Sequence, residues 1–195
     1  MKLQIQKSTS ETDLLKACKK QNAKAQRMLY DKYAASMLGL CRRYVHGEQE
    51  AEDVMIGGFM KVFSKIGSFE GKGSFEGWIK RIMINESLGH IRKHKAMYLE
   101  TDIEAADKEP DLDKLSSALE AKDLLKMINE LPSGYRTIFN LYAIEGYSHK
   151  EIGELLGINE NTSKSQLSRA RMQLQKKLLE TEDVLKKKNM VKDGK

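Results

Sequence analysis

Residues 148–178, SHKEIGELLGINENTSKSQLSRARMQLQKKL, decide the fold. A short segment places Ile152, Leu155 and Leu156 at helical spacing, and Gly157-Ile158-Asn159 then breaks the pattern. The next segment has one apolar stripe (Thr162, Leu167, Ala170, Leu174, Leu178) and an opposite side of Lys, Ser, Gln and Arg. Two helices joined by so tight a turn, the second with a basic polar side, make the layout that offers a helix to the DNA major groove. Glycine inside a helix costs about 1 kcal/mol relative to alanine, so Gly153 points to close packing between the two segments. Gly157 allows a positive φ, and Asn159 can cap the second helix. Lys164, Ser165, Ser168, Arg169 and Arg171 share neighbouring turns of the polar side, where Lys and Arg suit guanine edges or phosphates and Ser suits either. An ordinary helical hairpin with a solvated basic face is the plainer reading. The turn glycine, cap, small residue and basic face together favour the DNA reader.

The same helical periodicity runs through almost all of the 195 residues, with only two prolines and no sustained strand alternation. An all-α fold follows. Hydrophobic residues at 40% and charged residues at 32% indicate a soluble globular chain, and 34 basic against 28 acidic residues give a net charge of +6. That excess says less than its distribution. Cys18 and Cys41 are far apart with no CxxC spacing, which argues against a disulfide scaffold or a structural zinc site. The opening MKLQIQKSTS has no apolar signal core, and no stretch approaches the ~20 apolar residues of a membrane span. A cytoplasmic location is the expectation.

Ser10 is positioned to cap a helix through Lys19, and Asn22 a second helix to about Val45, ended by Gly47. A third helix covers roughly 48–66, burying Val54, Met55, Phe59, Val62, Phe63 and Ile66, with Gly67 as a left-handed stop. After the glycine-rich loop 68–74, Ser74 caps a fourth helix whose buried face holds Trp78, Ile79, Ile82, Met83 and Leu88 and which ends in Arg92-Lys93-His94-Lys95. These helices form a first domain over 10–95. Residues 96–115, acidic and containing Pro110, are expected to be a flexible linker. A second domain spans 116–180, with helices near 117–130, 132–145, 148–156 and 160–180, and 181–195 form a charged, frayed tail.

The basic fourth helix beside a flexible loop suits an unstacked single strand. Trp78 lies on the apolar face and is assigned to the core. Phe75 fits either the core or a stacked base.

The chain resembles the extracytoplasmic-function sigma factors, the two-domain class of the sigma-70 family. In the first half the matching residues are Leu29-Tyr30 through Tyr33, Cys41-Arg42-Arg43-Tyr44, Ala51-Glu52-Asp53-Val54, Phe59 to Phe63, Gly73-Ser74-Phe75, Trp78 to Ile82, Asn85 and Arg92-Lys93. In the second half they are Leu131-Pro132, Tyr135-Arg136, Phe139, Gly146-Tyr147-Ser148, Glu151-Ile152-Gly153, Leu156-Gly157, Thr162, Lys164-Ser165, Leu167 to Arg171 and Leu174. The resemblance implies region 2 in the first domain and region 4, with its helix-turn-helix, in the second. It implies a monomer that binds core RNA polymerase, docking on the β′ coiled coil through Asp53, Val54, Ile56, Gly57, Phe59, Met60 and Val62, with the second domain on the β flap. Single-stranded minus-ten promoter DNA would be held by Lys72, Ser74, Phe75, Lys80, Arg81, Asn85, Arg92 and Lys93. The minus-thirty-five duplex would be read by Thr162, Lys164, Ser165, Gln166, Ser168, Arg169 and Arg171. The linker would thread toward the polymerase cleft or RNA exit channel, and an anti-sigma factor is a further partner common in the class.

The chain departs from the family pattern twice. Ile56-Gly57-Gly58 stand where a Gln-Glu pair is usual, and two adjacent helix glycines cost roughly 2 kcal/mol, so a weak point in the docking helix is expected. Gly89 stands where Asp or Asn is common. No enzyme or cofactor is expected: GKGS at 71–74 lacks the P-loop spacing, no nucleophile has a matched base, and His90 with His94 lacks the Glu of a zinc HExxH motif. The alternative function is a helix-turn-helix regulator that binds duplex DNA without polymerase, and it gives no reason for the first domain's motifs. A helical interaction module with an incidental basic face is a third reading.

Overall fold

The computed structural model describes residues 10–93 and 121–192. All regular structure among them is helical, and the chain divides near residue 90 into two compact units. The linker expected at 96–115 lies outside the described residues, as does His94.

The first unit contains α1 (Glu11–Lys19), α2 (Ala23–Tyr44), α3 (Glu48–Lys65) and α4 (Phe75–Lys93). Ser10 caps α1 by accepting from the Asp13 amide, and Asn22 caps α2 by accepting from the Ala25 amide. Leu29, Tyr33, Met37, Leu40, Cys41 and Tyr44 line the buried side of α2, as the three- and four-residue steps require. Lys32 Nζ lies 2.5 Å from Glu11 Oε2, and the Tyr33 hydroxyl donates to the same oxygen at 3.0 Å. The bond from Lys32 holds the Glu11 carboxyl below its ordinary pKa. Both cysteines are buried free thiols, and burial pushes Cys41 up to about 11.

Two glycine assignments change. Val45, in extended backbone, closes α2; Gly47 instead opens α3 at φ +92°, with the Glu50 carboxylate where a Cβ would stand. Gly67 is not left-handed. The chain leaves α3 through a 3₁₀ turn, Ile66–Ser68, in which the Phe69 amide donates to the Ile66 carbonyl at 3.3 Å. The tighter turn satisfies the last carbonyls while keeping Ile66 in the core. Positive φ falls later, on Gly71 and Gly73, before Ser74 caps α4 through the Gly77 amide.

Gly58 is packed closely against α4. A Cβ there would stand 2.3 Å from Met83 Sδ, so the missing side chain lets α3 close onto α4. Gly57 differs: its nearest neighbour would be Glu86 Oε2 at 3.8 Å, an ordinary contact. Glu86 pairs with Lys61, so a glutamate at 57 would bring a second carboxylate to that pair.

The second unit contains α5 (Ala121–Asn129), α6 (Ser133–Phe139), α7 (His149–Leu156) and α8 (Glu160–Lys192). Pro132 is the N-cap of α6, where its lack of an N–H costs nothing. After α6 the chain widens into one π turn, Asn140–Ile144, in which the Glu145 amide reaches back to the Asn140 carbonyl at 3.0 Å. The expected single helix over 132–145 is therefore an α-helix that opens into a π turn. α8 packs on α6 and α7 through Leu167, Ala170, Leu174 and Leu178. It continues as helix to Lys192, past the expected end near 180. Arg136 is almost wholly buried, donates to the Asn129 carbonyl at 2.9 Å, and has its pKa lowered by burial.

Gly57→Ala is expected to stabilise the chain by about 1 kcal/mol through helix propensity. Gly58→Ala is expected to destabilise it by about 1 kcal/mol net, because Met83 must repack inside a filled core. Thermal melts of the two variants check the opposite signs.

Candidate nucleic-acid interface

The helix-turn-helix is built from local constraints. Ser148 and Glu151 form a capping box at the start of α7: Ser148 Oγ accepts from the Glu151 amide, and Glu151 Oε2 accepts from the Ser148 amide at 2.8 Å. The Ser-x-x-Glu spacing announces this in the sequence. Gly157 takes the left-handed conformation at φ +70° and closes α7. The Ile158 amide donates back to the Gly153 carbonyl at 3.0 Å, and a Cβ on Gly153 would stand 2.8 Å from the Ile158 carbonyl oxygen. Gly153 thus lets the turn itself, rather than a partner helix, approach α7. Asn159 Oδ1 accepts from the Asn161 amide at 2.8 Å and starts α8.

On α8 the side away from the core exposes Asn161, Lys164 and Met172, with Thr162, Ser165, Ser168, Arg169 and Arg171 half-buried along its margins. Lys164 lies 2.8 Å from Glu160, and its hydrogen bond lowers the Glu160 pKa. The Ser165 hydroxyl donates to the Thr162 carbonyl. Two assignments need correction. Gln166 is only 8% exposed, one turn from Ser163 and Ala170, and its Oε1 is buried without a hydrogen-bond partner. It faces the helical core rather than a groove. The Ser168 Oγ is likewise shielded from solvent. Met172, 48% exposed one turn beyond Ser168, shares that face and was missed because it looked like one more apolar helix residue.

Behind the outer face sits a polar cluster. His149 Nδ1 and Ser163 Oγ are 2.9 Å apart, joining the first turns of α7 and α8. The His149 ring stacks on Tyr142 at 4.5 Å between centroids, and the Arg171 guanidinium lies 5.8 Å from the centre of the Tyr142 ring.

In the first unit, Arg81, Asn85 and Arg92 are exposed along one side of α4, with Lys93 exposed at its end. Lys72 pairs with Glu70 at 2.7 Å, and half-buried Lys80 with Glu76 at 2.8 Å. Lys80 lies about 100° around the helix from Arg81, off the Arg81–Asn85 line. Ser74 is exposed, but its hydroxyl is used as the α4 cap. Phe75 is 2% exposed, with its ring centroid 5.1 Å from Phe69 and 5.6 Å from Trp78. It is a core residue and cannot stack a base from there. Trp78, assigned to the core from sequence, is half-buried, with its ring centroid 5.6 Å from those of Phe69 and Phe75, and lies one turn from Arg81.

α3 divides in the same way. Val54, Phe59 and Val62 are buried and support the helix without being presented to a partner. Asp53 is exposed, Gly57 half-buried, and Ile56 and Met60 are exposed apolar residues one turn apart, Met60 at 70%. Beside them a shallow groove of about 280 Å³ runs between α2 and α3 past Tyr30, Ala34, Leu38, Glu52 and Met55. Among the described residues no group of three or more side chains could hold a metal ion, and no helix is long and apolar enough to cross a membrane.

Comparison with known proteins identifies the family of both units. Residues 29–97 match the Sigma-70 region 2 family and residues 121–174 match Sigma-70, region 4. The chain is 30% identical over 185 residues to the RNA polymerase sigma-H factor of Pseudomonas aeruginosa, covering 87% of this chain and 95% of that one. It is 31% identical over 176 residues to the ECF RNA polymerase sigma factor SigW of Bacillus subtilis, covering 84% and 94%. The sigma factor RpoE of Bartonella quintana, solved with the anti-sigma factor NepR, shares the fold at a TM-score of 0.50 and 24% identity, covering 79% of this chain and 96% of that one. The chain belongs to the sigma-70 family, in its extracytoplasmic-function class, and is a sigma factor rather than an enzyme.

Phe75→Ala is expected to destabilise the first unit by about 3–5 kcal/mol, as for other buried aromatic truncations. Denaturant titration followed by Trp78 fluorescence measures it. A loss below about 1 kcal/mol would mean that the ring does not fill the core.

Proposed function

We propose that this sigma factor acts as a cytoplasmic monomer that binds core RNA polymerase through the exposed edge of α3 and engages promoter DNA with α4 and α8. The observation that carries the reading is the pair of surfaces on the first unit. An apolar edge, Ile56 with Met60 beside Asp53, has the chemistry of a protein contact. A separate stripe of Arg81, Asn85 and Arg92 has that of a nucleic-acid strand. A regulator that only bound duplex DNA would need neither.

On α4, Asn85 is assigned to hydrogen-bond an unstacked minus-ten base, and Arg81, Arg92 and Lys93 to hold the backbone. Lys72, Lys80 and Ser74 contribute less directly, since two are paired to carboxylates and the third caps the helix. On α8, Lys164, Ser165 and Arg169 are assigned to base edges of the minus-thirty-five duplex, and Thr162 and Arg171 to phosphates. The second unit is assigned to the β flap and the segment 96–115 to the polymerase channel by the family's division of labour. An anti-sigma factor would act by covering one of these surfaces. The domain limits 10–95 and 116–180 remain the working division.

Docking is tested by co-elution of the full chain with core polymerase. Met60→Glu and Asp53→Arg are expected to weaken the complex at least about tenfold with unchanged melting temperature, since both side chains are exposed; a partner-buried anchor is typically worth ~2 kcal/mol or more. Full affinity in both variants would remove α3 from the interface.

Base reading by α8 is tested on a duplex selected from a random pool. Arg169→Ala is expected to cost about 1–3 kcal/mol and relax choice at one base pair. Arg171→Ala is expected to weaken all sequences alike and reduce the salt slope by about one. The reverse pattern would mean that α8 is rotated in the groove.

A further inference from the structure

We infer that Met172 is a further specificity-determining residue of α8: its side chain takes the 5-methyl group of a thymine in the major groove. The inference rests on the reading of α8 as the duplex-binding helix and deepens it, because none of the residues assigned there to base edges is apolar. A single exposed methionine on a helix is ordinary by itself. Met172 differs by its place. At about 100° per residue it lies about 160° from buried Ala170 and Leu174 and about 140° from buried Leu167, near the middle of the outward face. It lies about 20° from Ser165 and about 40° from Ser168, so Asn161, Ser165, Ser168 and Met172 form one line along α8. On that line Met172 is the largest side chain, and it is 48% exposed.

The surroundings decide what the side chain meets. Exposed Lys164 lies on one flank of the line, and Arg169 with exposed Lys176 on the other, a basic setting suited to DNA. The exposed Ile56–Met60 edge of α3 stands instead beside the carboxylate of Asp53. Along the base edges of the major groove the thymine methyl is the apolar group, and van der Waals contact with it distinguishes thymine from the other bases. A helical side chain leans toward the N-terminus, so Met172 covers the turn that holds Ser168 and points toward the end of α8 that enters the groove. The Ser165 hydroxyl donates to the Thr162 carbonyl, and Ser168 Oγ is shielded from solvent. Methionine is unbranched, with a polarisable thioether, and adapts to a methyl group at the edge of its reach.

The test uses core polymerase carrying the full chain, on an upstream duplex that this holoenzyme selects from a random pool. Affinity is measured after each thymine in turn is replaced by deoxyuridine, which lacks only the 5-methyl group. Replacement at one position is expected to cost the wild type about two- to fourfold, the worth of burying one methyl-sized group. Met172→Ala is expected to bind the thymine duplex as weakly as the wild type binds the deoxyuridine duplex, to bind the two alike, and to keep its melting temperature. Equal affinity of the wild type for the thymine duplex and every deoxyuridine duplex would overturn the proposal. A thymine preference kept in full by Met172→Ala would overturn it as well, and either result leaves the reading of α8 standing. If the wild-type holoenzyme enriches no upstream duplex, the assignment of α8 fails and this inference fails with it.

Discussion

The Ile158 carbonyl oxygen lies 2.8 Å from where a Cβ on residue 153 would stand, while the Ile158 amide donates to the Gly153 carbonyl. That close contact of turn on helix fixes how α8 leaves α7. Leu167, Ala170, Leu174 and Leu178 can then go into the core together, and once that stripe is buried the opposite side of α8 must face outward. Any side chain at 153 would push the turn away and rotate the outer face with it. The capping box at Ser148 and the left-handed Gly157 support the same geometry from the two ends of α7.

Both units share one principle. Each functional helix is buried on one side and offers the other, so residues adjacent in sequence have different duties. On α3, Val54, Phe59 and Val62 hold the helix in place while Asp53, Ile56 and Met60 face out. On α4, buried Phe75, Ile79 and Met83 hold outward the side that carries Arg81 and Asn85. Surface pairs such as Lys72–Glu70 and Lys80–Glu76 contribute little to stability and partly neutralise cations that composition alone would assign to DNA.

This principle explains what was legible in the sequence. The helices could be read because apolar steps of three and four, with Ser10, Asn22, Ser74 and Asn159 as caps, depend on local chemistry. Gly153 and Gly157 were legible for the same reason. The errors came where tertiary context decides. Phe75 and Gln166 occupy positions that a family motif marks as functional, but a motif does not say which residue touches the ligand and which holds the helix behind it. Gly67 and Gly71 are equally able to turn the chain, and only the buried Ile66 selects a 3₁₀ turn at the first. The π turn at 140–144 has no sequence signature in these residues. It is seen only through the Glu145 amide reaching five residues back.

The central claim is that one chain couples a duplex reader to a strand-holding helix and delivers both to RNA polymerase. It is tested most directly by in vitro transcription with core polymerase on a library of random upstream sequences. The account predicts that adding the chain produces transcripts from a subset sharing two elements at a fixed spacing, and that Asn85→Ala abolishes open complexes while binding at the upstream element is kept. Transcription no more selective than that of core polymerase alone, with the chain folded and present in excess, would contradict it.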